Sequence, residues 1–216
     1  MVDVLPIAFP IPSEPALINY NYIDISEGTG IITFYPFLAL NANGMTTDTA
    51  MMSNVYSVVL ASSSNYPAAL VDTKNFYLRF NLPHVVKGTA FLNFNLGASS
   101  TGGNQAFVYV IATLYKYDSI TTATTQLATN TCIAIGGVTL TYAVPQLMDF
   151  AIAETNFKKG DMLRLEMKLY VGTSAGTSYG GYGIDPSNSP DNNGHVVIPP
   201  GKSTQMILKV PFEINV

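Results

Sequence analysis

The feature that most constrains this chain is alternation with a period of two. Phe76, Leu78, Phe80 and Leu82 alternate with Tyr77, Arg79 and Asn81. Leu163, Leu165, Met167, Leu169 and Val171 alternate with Arg164, Glu166, Lys168 and Tyr170. Met206, Leu208, Val210, Phe212 and Ile214 alternate with Ile207, Lys209, Pro211, Glu213 and Asn215. A strand with one face in a core produces this pattern, because successive side chains point to opposite sides. No stretch carries the 3.6-residue period of an amphipathic helix. Strands are expected near 17–24, 30–40, 53–61, 74–82, 89–97, 105–117, 125–135, 146–154, 161–172 and 204–215. Phe107 to Tyr115 is almost continuously apolar or aromatic. That pattern predicts a strand covered on both faces, one of them by a loop or another subunit.

Glycine-rich turn signals separate these runs: Asn43-Gly44, Lys87-Gly88, Gly102-Gly103, Gly136-Gly137 and Lys159-Gly160-Asp161. The connections 41–52 and 173–203 are too long for a plain meander and suit a Greek-key or jelly-roll route. The expected fold is all-β: a two-sheet antiparallel sandwich of that kind, spanning 17–216 as one domain. The 216 residues suffice for one sizeable core. Residues 1–16 are expected to form a separate extended arm. Pro6, Pro10, Pro12 and Pro15 forbid a helix there, while Leu5, Ile7, Phe9 and Ile11 supply apolar side chains at alternate positions. Such an arm is either an edge strand of its own domain or a strap across a neighbouring subunit. Segment 173–203, rich in Gly, Ser, Asn and Pro, reads as one long surface loop.

Charged residues make up 11% of the chain, against roughly 25% in an ordinary soluble domain. A surface so poor in charge is either hidden against other subunits or built from Thr, Ser and Asn. The net charge is −4 and the ten Lys and Arg are scattered, so no basic stripe is available for phosphate. Direct nucleic-acid binding is not expected. Cys132 is the single cysteine, flanked by Thr131 and Ile133 in a strand-like context. It reads as an inert buried thiol. The start, Met-Val-Asp-Val-Leu-Pro, lacks the basic region of a secretory signal. No apolar run approaches the ~18 residues of a membrane span. Folding in a cytoplasm is the expectation.

Four constellations could carry chemistry. Gly176-Thr177-Ser178-Tyr179-Gly180 matches a nucleophile elbow, and Asp185 or Asp191 and then His195 follow in hydrolase order. No helix follows Ser178, whereas the elbow needs a sharp strand-to-helix turn, so no enzyme is expected. Asp185, Asn188, Asp191 and Asn193 offer oxygen ligands for calcium, or a set of Asx-turns. Gly201-Lys202-Ser203 resembles the end of a phosphate loop, but Val196 stands at the leading glycine position. Asp149 and Glu154 could pair as acid and base. His84 and His195 lie far apart with no cysteine or histidine cluster, so zinc is not expected, and His84 beside Pro83 reads as a surface residue. No cofactor is implied. Phe107, Tyr109, Tyr179 and Tyr182, with the arm residues Leu5, Ile7, Phe9 and Ile11, are candidate interface side chains.

Two stretches resemble virion structural proteins of bacteriophages and related viruses: Tyr22 to Tyr35, reading YIDISEGTGIITFY, and Asn156 to Tyr170, reading NFKKGDMLRLEMKLY. The turn at Lys158–Asp161 before a long amphipathic strand is similar to the penultimate hairpin of many jelly rolls, tumour-necrosis-factor-like trimers included. The resemblance implies a capsid, capsid-decoration or spike-type subunit with no catalytic residue. Its partners would be copies of itself, with a trimer favoured, and other virion proteins. Its location would be the virion, after synthesis in a host cytoplasm. The rival expectation is a receptor- or carbohydrate-binding spike or fibre module. A hydrolase built on Ser178 is the distant alternative.

Overall fold

The computed structural model describes residues 18–19, 29–39, 43–50, 57–100, 104–191 and 195–213. These residues form strands and no helix. The strands are β1 (Ile18–Asn19), β2 (Thr29–Phe37), β3 (Gly44–Thr46), β4 (Val58–Ser63), β5 (Ala69–Arg79), β6 (His84–Ser100) and β7 (Ala106–Tyr117). They continue with β8 (Thr124–Thr131), β9 (Ile135–Val138), β10 (Tyr142–Phe157), β11 (Met162–Thr173), β12 (Ser178–Gly183) and β13 (Ile207–Glu213). The expected all-β class is what the chain adopts.

Two sets of strands can be traced. In the first, β6 pairs along one edge with β10 and along the other with β13 and β12. Beyond them lie β4 next to β12, and β2 and β1 next to β13. In the second, β11 lies between β5 and β7, β8 and β9 flank β7, and β3 flanks β5. Strand β2 joins the sets, pairing with β13 through Thr29–Phe34 and with β3 through Tyr35–Phe37. The result is one large mixed network. The β3–β5 pair is parallel, so the purely antiparallel expectation is corrected there. It follows from β3 returning along β2 and meeting β5 at Gly44 opposite Tyr77.

Alternation decides the packing. Leu163, Leu165, Met167, Leu169 and Val171 are fully buried, as are Met206, Leu208 and Val210, with Phe212 nearly so. They join Leu92, Phe94 and Leu96 of β6 and Val108, Val110 and Ala112 of β7 in one core. Burying a side chain of this size contributes roughly 1.5–3 kcal/mol. Strand β11 is anchored at its start by Asp161, whose carboxylate is wholly buried. It accepts N–H bonds from Lys158 (2.9 Å) and Ser119 (3.1 Å) and lies 3.3 Å from the Lys116 ammonium.

Several boundaries differ from the sequence expectation. Strand β5 ends at Arg79, and Leu82 is exposed in the turn that follows. Gly44 pairs with Phe37, so Asn43-Gly44 ends a longer connection and is no two-residue hairpin turn. Gly136 and Gly137 lie inside β9. Segment 173–203 is not one loop, because β12 runs through it between β4 and β6. The arm residues Leu5, Ile7, Phe9 and Ile11 lie outside the described residues, as do Asn193 and Ile214.

Candidate functional site

Strand β12 carries the serine singled out by motif. Ser178 opens it, opposite Ser63 on one side and Ser100 on the other. Its side chain is fully buried, and its Oγ has no hydrogen-bond partner among the described residues. A strand and not a strand-to-helix elbow holds it, so the hydroxyl is enclosed and not presented. His195 does not meet it. That imidazole stacks on the Tyr179 ring, with centroids 3.8 Å apart and planes 17° apart. The two aspartates serve the following loop. Asp185, buried, accepts from Ser187 Oγ (2.9 Å) and from the N–H of Ser189 (2.9 Å) and Ser187 (3.2 Å). Asp191 Oδ2 accepts from the N–H of Val197 (2.9 Å) and Ile198 (3.0 Å). Serine, acid and histidine are therefore not brought together.

The same bonds correct the calcium reading of this loop. Asn188 Oδ1 accepts from Ser203 Oγ (2.7 Å) and the N–H of Thr204 (2.9 Å). The oxygens of Asp185, Asn188 and Asp191 thus accept from the chain's own donors: Asp185 closes an Asx-turn with the Ser187 N–H, while Asp191 and Asn188 tie the loop to Val197, Ile198, Ser203 and Thr204 farther along the chain. Among the described residues no three His, Cys, Asp or Glu cluster as metal ligands.

Tyr182 is the clearest correction among the interface candidates. It is fully buried, edge-on to Phe94 at 6.1 Å. Burial pushes its hydroxyl well above the usual tyrosine range, and the Asp72 charge adds to this. Its place on the inner face of β12 puts it in the core, so no exposed Tyr179–Tyr182 ring exists. Phe107 and Tyr109 do face outward, and both are half-buried. Tyr109 stacks on Tyr170 of β11 at 4.6 Å, and Phe107 meets Tyr66 edge-on at 5.7 Å. Farther along the same face the Arg164 guanidinium lies 4.2 Å over the Tyr115 ring. Neighbouring aromatics partly cover the outer side of β7, which is less than the full cover expected for both its faces.

The outward face of the first set was not singled out in the sequence. Phe91, Asn93, Leu147, Ile207 and Lys209, from β6, β10 and β13, line a depression of about 250 Å³. Phe91 is 37% and Leu147 71% exposed. The signal available in sequence was the outward register of Phe91 and Leu147 beside inward Leu92 and Met148.

The remaining candidates have local roles. Cys132 is buried, its thiol pushed up by burial, with Sγ accepting from the Val110 N–H. His84 is not a free surface residue. It packs between Phe80 (5.2 Å) and Phe212 (5.4 Å), and burial lowers its pKa. Asp149 accepts from Asn130, and Glu154 pairs with Lys87 at 3.0 Å. Lys202 donates its N–H to Pro199 in a turn completed by Gly201 at φ +85°, which is no phosphate cradle. No helix among the described residues is long and apolar enough to cross a membrane.

No family model and no curated protein matches the sequence. Among solved structures, a CocE/NonD family hydrolase from Staphylococcus aureus aligns at 12% identity and a TM-score of 0.49, over 87% of this chain and 37% of the hydrolase. The chain thus spans little more than a third of that protein. Eiger TNF from S. frugiperda aligns at 11% identity and TM-score 0.28, over 86% of this chain and 95% of Eiger. A structure of infectious bursal disease virus, Gt strain, aligns at 13% identity and TM-score 0.31, over 83% of this chain and 42% of the viral one.

Proposed function

We propose that this chain is a virion structural subunit, of capsid or capsid-decoration type, that assembles by protein–protein contacts to build or stabilise a particle. A jelly-roll-like sandwich, a virion location and a role without catalysis belong to the same reading. The observation that carries it is apolar display on both outward faces in a chain that is only 11% charged. Leu147, Phe91 and Ile31 are exposed on the first set of strands, and Leu70, Tyr77 and Tyr66 on or beside the second. An isolated subunit would hold such faces in water, and a lattice or closed oligomer removes them. Mass measurement by light scattering, with electron micrographs of any particle, tests it. A homo-oligomer is expected, a trimer first. A chain that stays monomeric at high concentration and binds no particle overturns the proposal.

The Tyr109–Tyr170 stack supports a second reading, a receptor- or carbohydrate-binding module. A flat aromatic strip can carry a sugar ring on its face. Glycan titration against Tyr170→Ala separates the two readings. Saturable binding lost in that variant favours the module.

A further inference from the structure

We propose that the outward face of β5, β11 and β7 binds an acidic carbohydrate, with Arg79 and Arg164 taking its carboxylate or sulfate group. The inference rests on the carbohydrate-binding reading above and names the class of ligand.

The chain has only two arginines, Arg79 and Arg164. They are far apart in sequence, and strand pairing brings them onto one face. Arg164 of β11 lies opposite Tyr77 of β5 and Tyr115 of β7. In the next row Met162 lies opposite Arg79 and Tyr117. Diagonal neighbours across a sheet stand about 7–8 Å apart, within reach of two long side chains on one small anion. Arg79 and Tyr77 are exposed, and Arg164, Tyr115 and Tyr117 are half-buried. The turn leading into β11 adds exposed Lys158 and Lys159 at the same end of the sheet.

These arginines lack a counter-charge. Neither forms an ion pair with a described residue. The nearby carboxylates are already engaged. Glu166 pairs with Lys168 at 2.9 Å and accepts from the Tyr115 hydroxyl, Asp161 is buried beside Lys116, and Asp118 accepts from the N–H groups of Ile120 and Thr121. A guanidinium fork matches a carboxylate or sulfate edge, so an external anion is the fitting partner.

Three observations favour a sugar acid over a bare anion. Arg164 Nε, a donor, and Asn75 Oδ1, an acceptor in the adjoining row opposite Glu166, are buried with no hydrogen-bond partner among the described residues. A ligand that carries acceptors and hydroxyl donors together complements such a face, whereas an inorganic anion offers acceptors alone. Tyr77, Tyr115 and Tyr117 frame the arginines with ring surface that can pack against a sugar. The stacked pair Tyr109 and Tyr170 lies farther along the same face, with Tyr170 six residues from Arg164, about 20 Å at the usual strand rise. A chain of sugar rings laid along β11 would meet arginine at one end and tyrosine at the other.

The test titrates the full chain calorimetrically with four polymers: oligogalacturonate for carboxylate, dextran sulfate for sulfate, unmodified dextran as the neutral control, and oligothymidylate for phosphate. Saturable binding of an acidic glycan is expected, weakened by salt, with none for dextran. Which acidic glycan binds separates carboxylate from sulfate. Arg79→Gln and Arg164→Gln should each lower the affinity at least about tenfold, the loss of one charge-assisted contact. Lys202→Gln, which removes an exposed cation of a different turn, should change nothing. Circular dichroism checks folding, and exposed Arg79 keeps the result readable should Arg164→Gln misfold. Dextran binding as tightly as the acidic glycans, lost in Tyr170→Ala but not in the arginine variants, overturns the inference and leaves the carbohydrate-binding module standing. Oligothymidylate binding as tightly through the same arginines overturns the sugar assignment in favour of a general polyanion site. An equal loss in Lys202→Gln reduces the effect to diffuse charge and overturns it too. Binding of none of the four removes both the inference and the module reading.

Discussion

Residues 162–173 and 174–206 lie side by side in the chain and both contribute fully buried side chains, yet they reach burial by different means. In β11 every second residue is a large apolar side chain, and each from Leu163 to Val171 is fully buried. In the next segment the buried positions among the described residues include Ser178, Tyr182, Ile184, Asp185, Val197, Ile198, Thr204 and Met206, with no common period. Side-chain volume packs the first region. The second is packed by close backbone approach. A Cβ on Gly180 would stand 2.6 Å from Val171 Cγ2 and 2.8 Å from Val108 Cγ1, and one on Gly183 would stand 2.5 Å from Thr204 Cα. Its polar groups are then closed by Asp185, Asn188 and Asp191. Glycine that reads as loop can therefore mark the tightest part of a core.

The contrast predicts graded damage. Leu165→Ala should destabilise by about 2–5 kcal/mol in chemical denaturation, because a full side chain leaves a site closed on all sides. A loss under about 1 kcal/mol would show that β11 does not carry the core as described. Asp161→Asn at the head of β11 should cost about 1.5–3 kcal/mol at neutral pH. Burial alone would raise the Asp161 pKa, but the N–H groups of Lys158 and Ser119 and the Lys116 ammonium outweigh it, so the pKa is lowered. A carboxylate lowered in the folded state stabilises at neutral pH, and that stabilisation is lost as pH falls from about 4 through the folded value. Stability of wild type and variant, measured across this range, should converge on the acid side. Curves that stay parallel would remove the charge from the account.

Gly180→Ala tests the second region directly and should cost about 1–3 kcal/mol by overpacking, since Val171 and Val108 must both give way. A neutral result in thermal melts would mean that β12 has room for a side chain and that its glycines are turn residues after all.

What was legible follows from the same contrast. The class and the inward rows of β11 and β13 were readable because alternation repeats over several residues. Strand β12 was not, because Ser-Tyr-Gly-Gly-Tyr-Gly has no apolar alternation and its burial depends on partners distant in sequence, Val171 and Thr204. Tyr182 was misplaced for the same reason: a tyrosine among glycines looks exposed until the strand's register is known. The depression on the outward face of the first set was missed because Phe91 and Leu147 come from different strands, and only their pairing beside β13 brings them onto one face.

The smallest predicted effect is the most telling for function. Ser178 matches a catalytic motif by spacing, and a nucleophile there would make Ser178→Ala abolish turnover while leaving stability little changed. Its surroundings point elsewhere. The hydroxyl is enclosed in β12 without a partner among the described residues, and His195 is committed to Tyr179. A buried hydroxyl without a partner costs its desolvation and returns nothing. Replacing it with a methyl group should therefore leave the melting temperature unchanged or raise it slightly, within about 1 kcal/mol. Oligomer mass and any particle binding should stay the same. The informative assay combines thermal melts with hydrolysis of a panel of small esters by wild type and variant. Ester turnover by the wild type that vanishes in Ser178→Ala would reverse the non-catalytic proposal. A marked drop in stability would instead reveal a hydrogen bond to Ser178 and tie this serine to the packing of β12 between Ser63 and Ser100.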